Sequence, residues 1–327
     1  YGVLAQVRPK QPLQRIILCR IGDTLSPLKR FGFWLTKGRK IAAVPVDERV
    51  RWWKGLMAAS HPPAPRASTA TDDPAAILFS GGTTGVPKGI VLSNRNLIAE
   101  GMQAAAWAGM AGGDSILAIL PIFHGFGLGV CVNAAFMAGG KSILVPQFSA
   151  EIVAKVLKSA RPNLLVGVPT LYDALSKDVS LAKSDLSCLR ACFSGADTLP
   201  RPVKERFEAL VAAHGGKVKL LEGYGLTEAV TAIMAMPLAE YREGSIGIPF
   251  SDMDAKICRF GTTDELPPGE EGEICIAGPA VMAGYLDDPQ ATAETLKLHA
   301  DGRTWLHTGD LGRRDDDGFF YFTVRAK

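Results

Sequence analysis

The sequence lacks the features that mark a membrane-spanning chain or a zinc protein. Its longest apolar runs, such as SILAIL and NLLVGVP, are of strand length and fall far short of the roughly 20 residues that span a bilayer. Six cysteines are scattered without a CxxC pair, mostly in apolar runs, which predicts buried thiols in a reducing compartment. Cys188 and Cys192 are four residues apart, but no further His or Cys pair completes a metal site. We therefore expect neither a transmembrane helix nor a zinc site.

The chain also lacks an initial Met and a basic leader, since it begins at Tyr1. We read no signal peptide and expect the true N-terminus to lie upstream. With 327 residues, 47% of them hydrophobic and 21% charged, the composition is that of an ordinary globular protein. The length allows two domains or one large α/β domain.

Positive charge is concentrated at one end of the chain. Residues 1–60 carry 12 Lys or Arg and three Asp or Glu, a net charge of +9, so the other 267 residues sum to −6. Aromatic residues alternate with these cations in RFGFWLTKGRK and RWWKGLM. Two interpretations are open: a connector whose aromatics pack on the core, or a segment that lies on an anionic bilayer surface.

Apolar patterning predicts three regions, 1–70, 71–243 and 244–327. HPPAPRASTATDDP forms a linker-like stretch, after which strand-length apolar runs alternate with helical patterns such as SAEIVAKVLKSAR, where Ser149 is a predicted N-cap. This alternation predicts an α/β fold with mostly parallel sheets covered by helices. Beyond Gly244, short strands between Gly and Pro turns predict a small C-terminal β-barrel-like subdomain. The predicted strands of the middle region are 75–79, 115–120, 141–145, 163–168, 189–193 and 217–221.

The stretch ILFSGGTTGVPKGIVLS is built to hold an oxyanion. Glycines leave backbone N–H groups open, hydroxyls are supplied by Ser80, Thr83 and Thr84, and Lys88 adds a positive charge. It is not a Walker A loop, because Pro87 precedes the lysine and Gly89 follows it. Taken alone, such a loop is more often a simple turn between strands.

Other motifs give this loop a context. FSGGTTGVPKG, LPIFHGFG, FSGADTLP, LLEGYGLTEA, GSIGIPF, GEICIAGPAVMAGYLDDPQATAET and WLHTGDLG follow one another in the chain. Together they resemble the ordered signatures of the adenylate-forming superfamily, which includes acyl-CoA synthetases, luciferases and peptide-synthetase adenylation domains. GGTTG, LEGYGLTE and GSIGIP look most like the long-chain fatty acyl-CoA ligases.

The resemblance implies a role for each motif in binding ATP and Mg²⁺. Tyr224 would lie against adenine, Thr227 would contact the α-phosphate, Glu228 would ligate Mg²⁺ together with Thr84, and Asp310 would accept both ribose hydroxyls. The loop residues implied to hold the β- and γ-phosphates are Ser80, Gly81, Gly82, Thr83, Thr84, Gly85 and Lys88. Further nucleotide-binding residues implied are Gly195, Ala196, Asp197, Glu222, Gly223, Gly225, Phe322 and Arg325. Lys88, His124, Thr227 and Glu228 are the implied catalytic residues.

The motif LPIFHGFG is implied to line the acid pocket through His124, Gly125 and Phe126, with His124 near the reacting carboxyl group. A lone histidine beside glycine is otherwise a turn residue. Amino-acid-activating relatives place an Asp here, and this chain has apolar residues, which predicts an acid without an amine. Gly125, Gly127 and Gly129 fit either an open acyl tunnel or tight helix packing. His307 is expected to be structural.

The implied reaction has two steps: ATP and a carboxylic acid, such as a fatty acid, give acyl-AMP and pyrophosphate, and coenzyme A then gives the thioester. Two alternatives remain: a fatty acyl-AMP ligase that serves a carrier protein, and a non-catalytic nucleotide- or membrane-binding fragment. Lys327 matches the family's hinge, so we expect the lid domain to follow it and the isolated fragment to be inactive or weakly active. We expect a cytoplasmic protein that could lie at the inner membrane face or form a homodimer, with no nucleic-acid partner.

The basic aromatic segment yields a test. We expect the full-length protein to sediment with anionic vesicles and to be released by salt, because ions screen the attraction between lysine or arginine and lipid phosphate. Vesicles of neutral lipid serve as the control. Equal sedimentation with both kinds of vesicle would contradict the membrane interpretation.

Overall fold

The computed structural model describes residues 2–7, 13–41, 43–44, 48–60, 62–65, 67–80 and 87–326. The chain divides into two compact units, residues 1–68 and residues 69–327, which we describe separately. Residues 81–86, which form most of the phosphate loop predicted above, lie outside the described residues, and so does Lys327.

The first unit contains few regular elements. They are α1 (Gly2–Val7), β1 (Ile16–Leu18), α2 (Pro27–Thr36), β2 (Val50–Trp52) and α3 (Trp53–Ala58). The two strands pair in parallel, with buried Ile16 opposite buried Val50. Helix α2 has no buried residue, and Phe31 and Trp34 are 59% and 52% exposed. Neither side chain is buried within this unit, and both interpretations of the basic aromatic segment stay predictions.

The second unit carries most of the secondary structure. Its strands are β3 (Pro74–Ser80), β4 (Lys88–Ser93), β5 (Ser115–Ala118), β6 (Lys141–Leu144), β7 (Leu164–Gly167), β8 (Ala191–Ser194), β9 (Leu220–Gly225), β10 (Ala232–Ala235), β11 (Ile248–Pro249), β12 (Asp254–Cys258), β13 (Gly272–Ala277), β14 (Gly284–Tyr285), β15 (Leu296–Leu298), β16 (Thr304–Arg314) and β17 (Phe320–Arg325). Its helices are α4 (Asn94–Trp107), α5 (Ala134–Met137), α6 (Ala150–Ala160), α7 (Pro169–Lys177), α8 (Arg201–Ala213) and α9 (Pro289–Thr295), with a π-helical segment at Phe126–Asn133 before α5.

A seven-stranded sheet in the order β11–β10–β9–β8–β7–β5–β6 forms the centre of this unit. The five strands from β6 to β9 run parallel, and β10 and β11 add antiparallel strands at one edge. Strands β5 and β7 are buried on both faces, as continuous apolar runs predict for a covered parallel sheet. The predicted α/β fold is confirmed, with strand ends that differ from the predicted ones by up to four residues.

Helix α6 shows how the sequence sets the covering layer. Ser149 is its N-cap, and the Ser149 side chain accepts a hydrogen bond from the backbone N–H of Ile152, as predicted. Val153, Ala154 and Leu157 are buried on its inner face. Their spacing of one, three and four residues gives the apolar stripe that holds a helix against a sheet.

The C-terminal part is rich in β-structure, as predicted. Strands β12, β13, β16 and β15 form an antiparallel sheet in that order, and β17 pairs with β16. A separate three-stranded sheet, β14–β4–β3, flanks the ends of the predicted phosphate loop, because Ser80 pairs with Lys88. Among the described helices, none has both the length and the apolar character needed to cross a bilayer.

Asn96 ties the first turn of α4 to a distant loop. Its Oδ1 accepts the backbone N–H of Ser93 at 2.8 Å, which completes a capping box. Its Nδ2 donates to the carbonyl oxygens of Pro279 and Val281 at 2.8 and 2.7 Å. One buried side chain thus satisfies three backbone groups and fixes the segment that leads into β14.

Replacing Asn96 by Ala should lower the free energy of unfolding by about 3 kcal/mol or more, because each unsatisfied buried polar group costs about 1–3 kcal/mol. Asn94→Ala is the matched control, since the Asn94 side chain makes one exposed hydrogen bond, to the Ala70 carbonyl, and should cost less than about 1 kcal/mol. Urea denaturation measures both values. Equal losses in the two variants would contradict the proposed clamp.

Candidate active site

A cavity of about 650 Å³ opens in the second unit where the parallel strands end. Val166 of β7, Ser194 of β8 and Tyr224 of β9 contribute to its walls, so it lies at the carboxyl ends of the strands, where open α/β sheets bind ligands. Thr308 of β16 and Arg325 of β17 line another wall. The predicted site residues that line the cavity are Ser80, Lys88, His124, Phe126, Gly195, Ala196, Gly223, Tyr224, Gly225, Thr227, Glu228 and Arg325.

The predicted phosphate loop is described only at its two ends. Ser80 and Lys88 pair across β3 and β4 and both line the cavity. The predictions for Gly81, Gly82, Thr83, Thr84 and Gly85, and for Lys327 as the hinge, fall on residues outside the described ranges. Those roles stay predictions.

Tyr224, which lines the cavity, is hydrogen-bonded to Asp310. The Tyr224 hydroxyl donates to Asp310 Oδ2 at 2.6 Å, and Arg325 Nε lies 3.5 Å from Asp310 Oδ1. Burial and the Asp310 charge raise the pKa of Tyr224, so the phenol stays protonated and remains a donor. A carboxylate has about four acceptor positions, so Asp310 keeps capacity for two more hydroxyl donors.

The loops after β8 and before β10 adopt backbone conformations that few side chains favour. Ala196 has φ of 69°, and Gly195 packs against the carbonyl of Gly223 and the ring of Phe126. Val230 has φ of 62° and ψ of −65°, values close to those of a strained γ-turn, and the N–H of Thr231 donates to the carbonyl of Ala229 at 2.7 Å. Such strain concentrates at functional sites.

The His124 segment is packed tightly against its neighbours. Phe126 N–H donates to His124 Nδ1 at 3.2 Å, so Nδ1 is the acceptor nitrogen and the ring proton sits on Nε2. A Cβ on Gly125, Gly127 or Gly129 would lie within 2.6 Å of Val230 O, Pro121 O or the Glu100 carboxyl group. The three glycines therefore serve close packing, and the open-tunnel alternative is wrong for them.

Glu100 is the buried acid behind Gly129. Burial raises its pKa to about 8, so this carboxyl group is largely protonated at neutral pH. It lies one helical turn before Ala104, which lines the cavity. The wall of the cavity is thus backed by a neutral group.

Glu228 is held by residues that its motif does not contain. Tyr285 Oη donates to Glu228 Oε1 at 2.9 Å, and the N–H of Met282 donates to the Glu228 carbonyl at 2.8 Å. Lys88 Nζ lies 4.8 Å from the centroid of the Tyr285 ring. Tyr285 belongs to one of the family motifs, but the sequence predicts no role for it, because no local spacing links it to Glu228.

Besides Asp310, four predicted residues lie outside the cavity walls. Glu222 accepts a hydrogen bond from the Tyr241 hydroxyl at 2.9 Å, and burial raises the pKa of its carboxyl group. Asp197 is exposed and accepts the N–H of Thr198. Gly125 abuts Val230, and Phe322 lies in β17 opposite Gly312. Their nucleotide- and substrate-binding roles stay predictions.

A cluster of buried polar side chains contacts β16, the strand that carries Asp310. His307 Nδ1 lies 2.7 Å from Glu273 Oε2, Glu273 Oε1 accepts the N–H of Gly309, and His299 contacts His307 through their Nε2 atoms at 2.9 Å. Ligand atoms of Glu273, Cys275 and His307 lie within 4.8 Å of one another. The sequence gives no sign of this group, because the sheet joins Cys275 and His307, which are 32 positions apart.

Comparisons with known proteins agree with this geometry. Residues 28–286 match the family of AMP-binding enzymes. A long-chain-fatty-acid–CoA ligase from Bacillus subtilis (strain 168) is 40% identical over 258 residues, which cover 78% of this chain and 44% of the relative. The 4-coumarate–CoA ligase 2 of Oryza sativa subsp. japonica is 34% identical over 98% of this chain and 55% of the relative.

A solved structure shares the fold over nearly the whole chain. ATP-bound MatB from Rhodopseudomonas palustris superposes with a TM-score of 0.77 at 28% identity, covering 96% of this chain and 59% of MatB. The chain spans about half the length of the curated relatives it matches. The motifs, the cavity and these matches agree, and the chain belongs to the AMP-binding enzyme family.

Proposed function

We propose that the full-length protein is an ATP-dependent acid–thiol ligase that activates a carboxylic acid as acyl-AMP and then transfers the acyl group to coenzyme A. The observation that carries the proposal is the meeting of Lys88, His124 and Glu228 around one cavity that apolar side chains such as Val130 and Met234 also line. A cavity lined by both charged and apolar side chains suits a ligand with an anionic head and an apolar tail.

Each residue around the cavity would have its own role in the first half-reaction, which forms acyl-AMP. An acid oxygen attacks the α-phosphorus of ATP, and the bond to pyrophosphate breaks. Lys88 would neutralise charge on the departing pyrophosphate, Thr227 would donate to the α-phosphate, and His124 Nε2–H would orient the acid. Asp310 would hold the ribose through its remaining acceptor positions.

The Glu228 carboxylate fits a magnesium ion, since hard oxygen ligands are what Mg²⁺ prefers. It lines the cavity, and Tyr285 contacts both its carboxylate and the Lys88 ammonium. When bound, the ion would polarise phosphate oxygens and lower the cost of charge at phosphorus. Thr84 is the second proposed ligand from the sequence.

For the acid itself we propose a fatty acid. Ala104, Val130, Val166, Met234 and Phe250 give the cavity an apolar interior that suits an alkyl chain. The similarity to a 4-coumarate–CoA ligase favours a second candidate, an aromatic acid of the same polarity. A neutral Glu100 behind the wall is compatible with both.

The exposed aromatic and cationic side chains of α2 support a proposed contact with anionic membrane at the inner face of a cytoplasmic enzyme. Leu28 is 82% exposed, and Phe31 and Trp34 are exposed beside Lys29 and Arg30. Apolar side chains flanked by cations can insert at the headgroup boundary. A homodimer remains a proposal from the sequence.

The direct test is pyrophosphate release by the full-length protein with a panel of fatty, aromatic and amino acids, with and without coenzyme A. We expect acid-dependent release that becomes catalytic when coenzyme A is added, with fatty acids preferred and amino acids inert. Release in a single burst, with no thioester formed on adding coenzyme A, would favour the acyl-AMP ligase alternative. No release with any acid would contradict ligase activity.

Replacing Glu228 by Ala should reduce Mg²⁺-dependent acyl-AMP formation by about 100-fold or more, because the proposed metal loses a carboxylate ligand. Rapid-quench measurement of acyl-AMP reports the step directly. Glu240→Ala is the control, since Glu240 is an exposed acid that pairs with Arg242. An unchanged acyl-AMP burst in Glu228→Ala would rule out this role.

A further inference from the structure

Tyr285 lies in the short strand β14, which pairs with β4 beside the predicted phosphate loop. In β14, Tyr285 is opposite Ile90 of β4, and the N–H of Leu286 donates to the carbonyl of Gly89 at 2.7 Å. Lys88 is the first residue of β4. The pairing therefore places the Tyr285 backbone beside the end of the loop.

The hydroxyl end of Tyr285 fixes the Glu228 carboxylate. Its Oη lies 2.9 Å from Glu228 Oε1, and an ionised carboxylate can only accept, so the phenol donates. Met282, three residues earlier, donates to the Glu228 carbonyl. One segment thus holds both the side chain and the backbone of Glu228.

The ring of Tyr285 faces the Lys88 ammonium. The distance of 4.8 Å from Nζ to the ring centroid is within the range of a cation–π contact. The ring attracts the ammonium without neutralising it, so the full charge of Lys88 stays available to an anion. A carboxylate partner in this position would compete with phosphate for the lysine.

The segment that carries Tyr285 is anchored at both ends. Asn96 binds the carbonyls of Pro279 and Val281, and the backbone N–H of Tyr285 donates to Thr292 Oγ1 at 2.9 Å. Thr292 in turn donates to the carbonyl of Asp288. A side chain on such a fixed backbone can hold two charged groups in a set geometry.

We propose that Tyr285 is a positioning residue that orients the Glu228 carboxylate for a divalent cation and holds Lys88 ready for the phosphates. The inference rests on the proposed function, since it assigns roles within the same site. With one acceptor position engaged by the hydroxyl, the Glu228 carboxylate keeps further acceptor positions that would bind the cation. Residues next to a metal ligand in this way typically change metal affinity by about 10–100-fold when mutated.

A role in packing alone makes a different prediction. The ring of Tyr285 is only partly buried, and Phe would fill its place without loss of contact. If packing were the whole role, Tyr285→Phe would be silent in both Mg²⁺ dependence and nucleotide binding. The hydroxyl and the ring can therefore be tested one at a time.

The experiment compares Tyr285→Phe and Tyr285→Leu with the wild-type full-length protein. Tyr321→Phe is the matched control, because the Tyr321 hydroxyl binds the carboxylate of Asp315 at 3.0 Å and neither residue lines the cavity. Calorimetry measures ATP affinity with and without Mg²⁺, pyrophosphate release measures the Mg²⁺ concentration for half-maximal rate, and thermal unfolding reports stability.

We expect Tyr285→Phe to raise the half-maximal Mg²⁺ concentration roughly tenfold and to shrink the gain in ATP affinity that Mg²⁺ gives, with the unfolding temperature unchanged. Tyr285→Leu should in addition weaken Mg²⁺-free ATP binding about two- to fivefold, through loss of the cation–π contact. Tyr321→Phe should match wild type in all three.

Two outcomes overturn the proposal, and they are distinguishable. If the wild-type protein turns over and Tyr285→Phe behaves like Tyr321→Phe in all three measurements, Tyr285 has no positioning role, and the proposed function stands. Wild-type protein that binds ATP equally with and without Mg²⁺ would remove the cation role of Glu228, and the role of Tyr285 with it. Failure to bind ATP at all would overturn the proposed function itself.

Discussion

The site depends on keeping a small number of charged groups fixed around one cavity. Two of them are held by a neighbour that does not cancel their charge: Glu228 by a phenol and Lys88 by the face of an aromatic ring. Asp310 accepts from a second phenol and also lies 3.5 Å from Arg325 Nε. A charge held by a neutral partner keeps its electrostatic effect on a ligand, and in a partly desolvated site that effect is large. The fold supplies the rigidity, since the two phenols lie on strands of two different sheets, Tyr285 in β14 and Tyr224 in β9.

Much of this fold could be predicted from the sequence, because its signals are local. Apolar runs of strand length alternate with helical patterns, and the Ser149 cap marks where α6 begins. The parallel sheet follows from these patterns by general rules of topology. The family motifs also assign Tyr224, Glu228 and Asp310 to one nucleotide site from their residue types and order alone.

The partners of those residues could not be predicted, because their contacts are long-range. Tyr285 and Glu228 are 57 residues apart, and Tyr224 and Asp310 are 86 apart. The role of Gly129 depends on a carboxyl group in α4, which no local pattern specifies. The phosphate loop is the opposite case. Its motif is clear in the sequence, but residues 81–86 lie outside the described residues, so their phosphate-binding role stays a prediction. The length and type of the apolar part of the acid also stay a prediction, since apolar walls discriminate between substrates by only about 1–3 kcal/mol per methylene.

The central claim is that an oxygen of the acid attacks the α-phosphorus of ATP, and isotope transfer tests it most directly. The full-length protein is supplied with a fatty acid labelled with ¹⁸O in its carboxyl group, together with ATP and coenzyme A, and the products are analysed by mass spectrometry. Formation of acyl-AMP followed by thioester formation leaves one labelled oxygen in AMP and none in pyrophosphate. Unlabelled AMP, or label in pyrophosphate or phosphate, would show attack elsewhere and contradict the proposed chemistry.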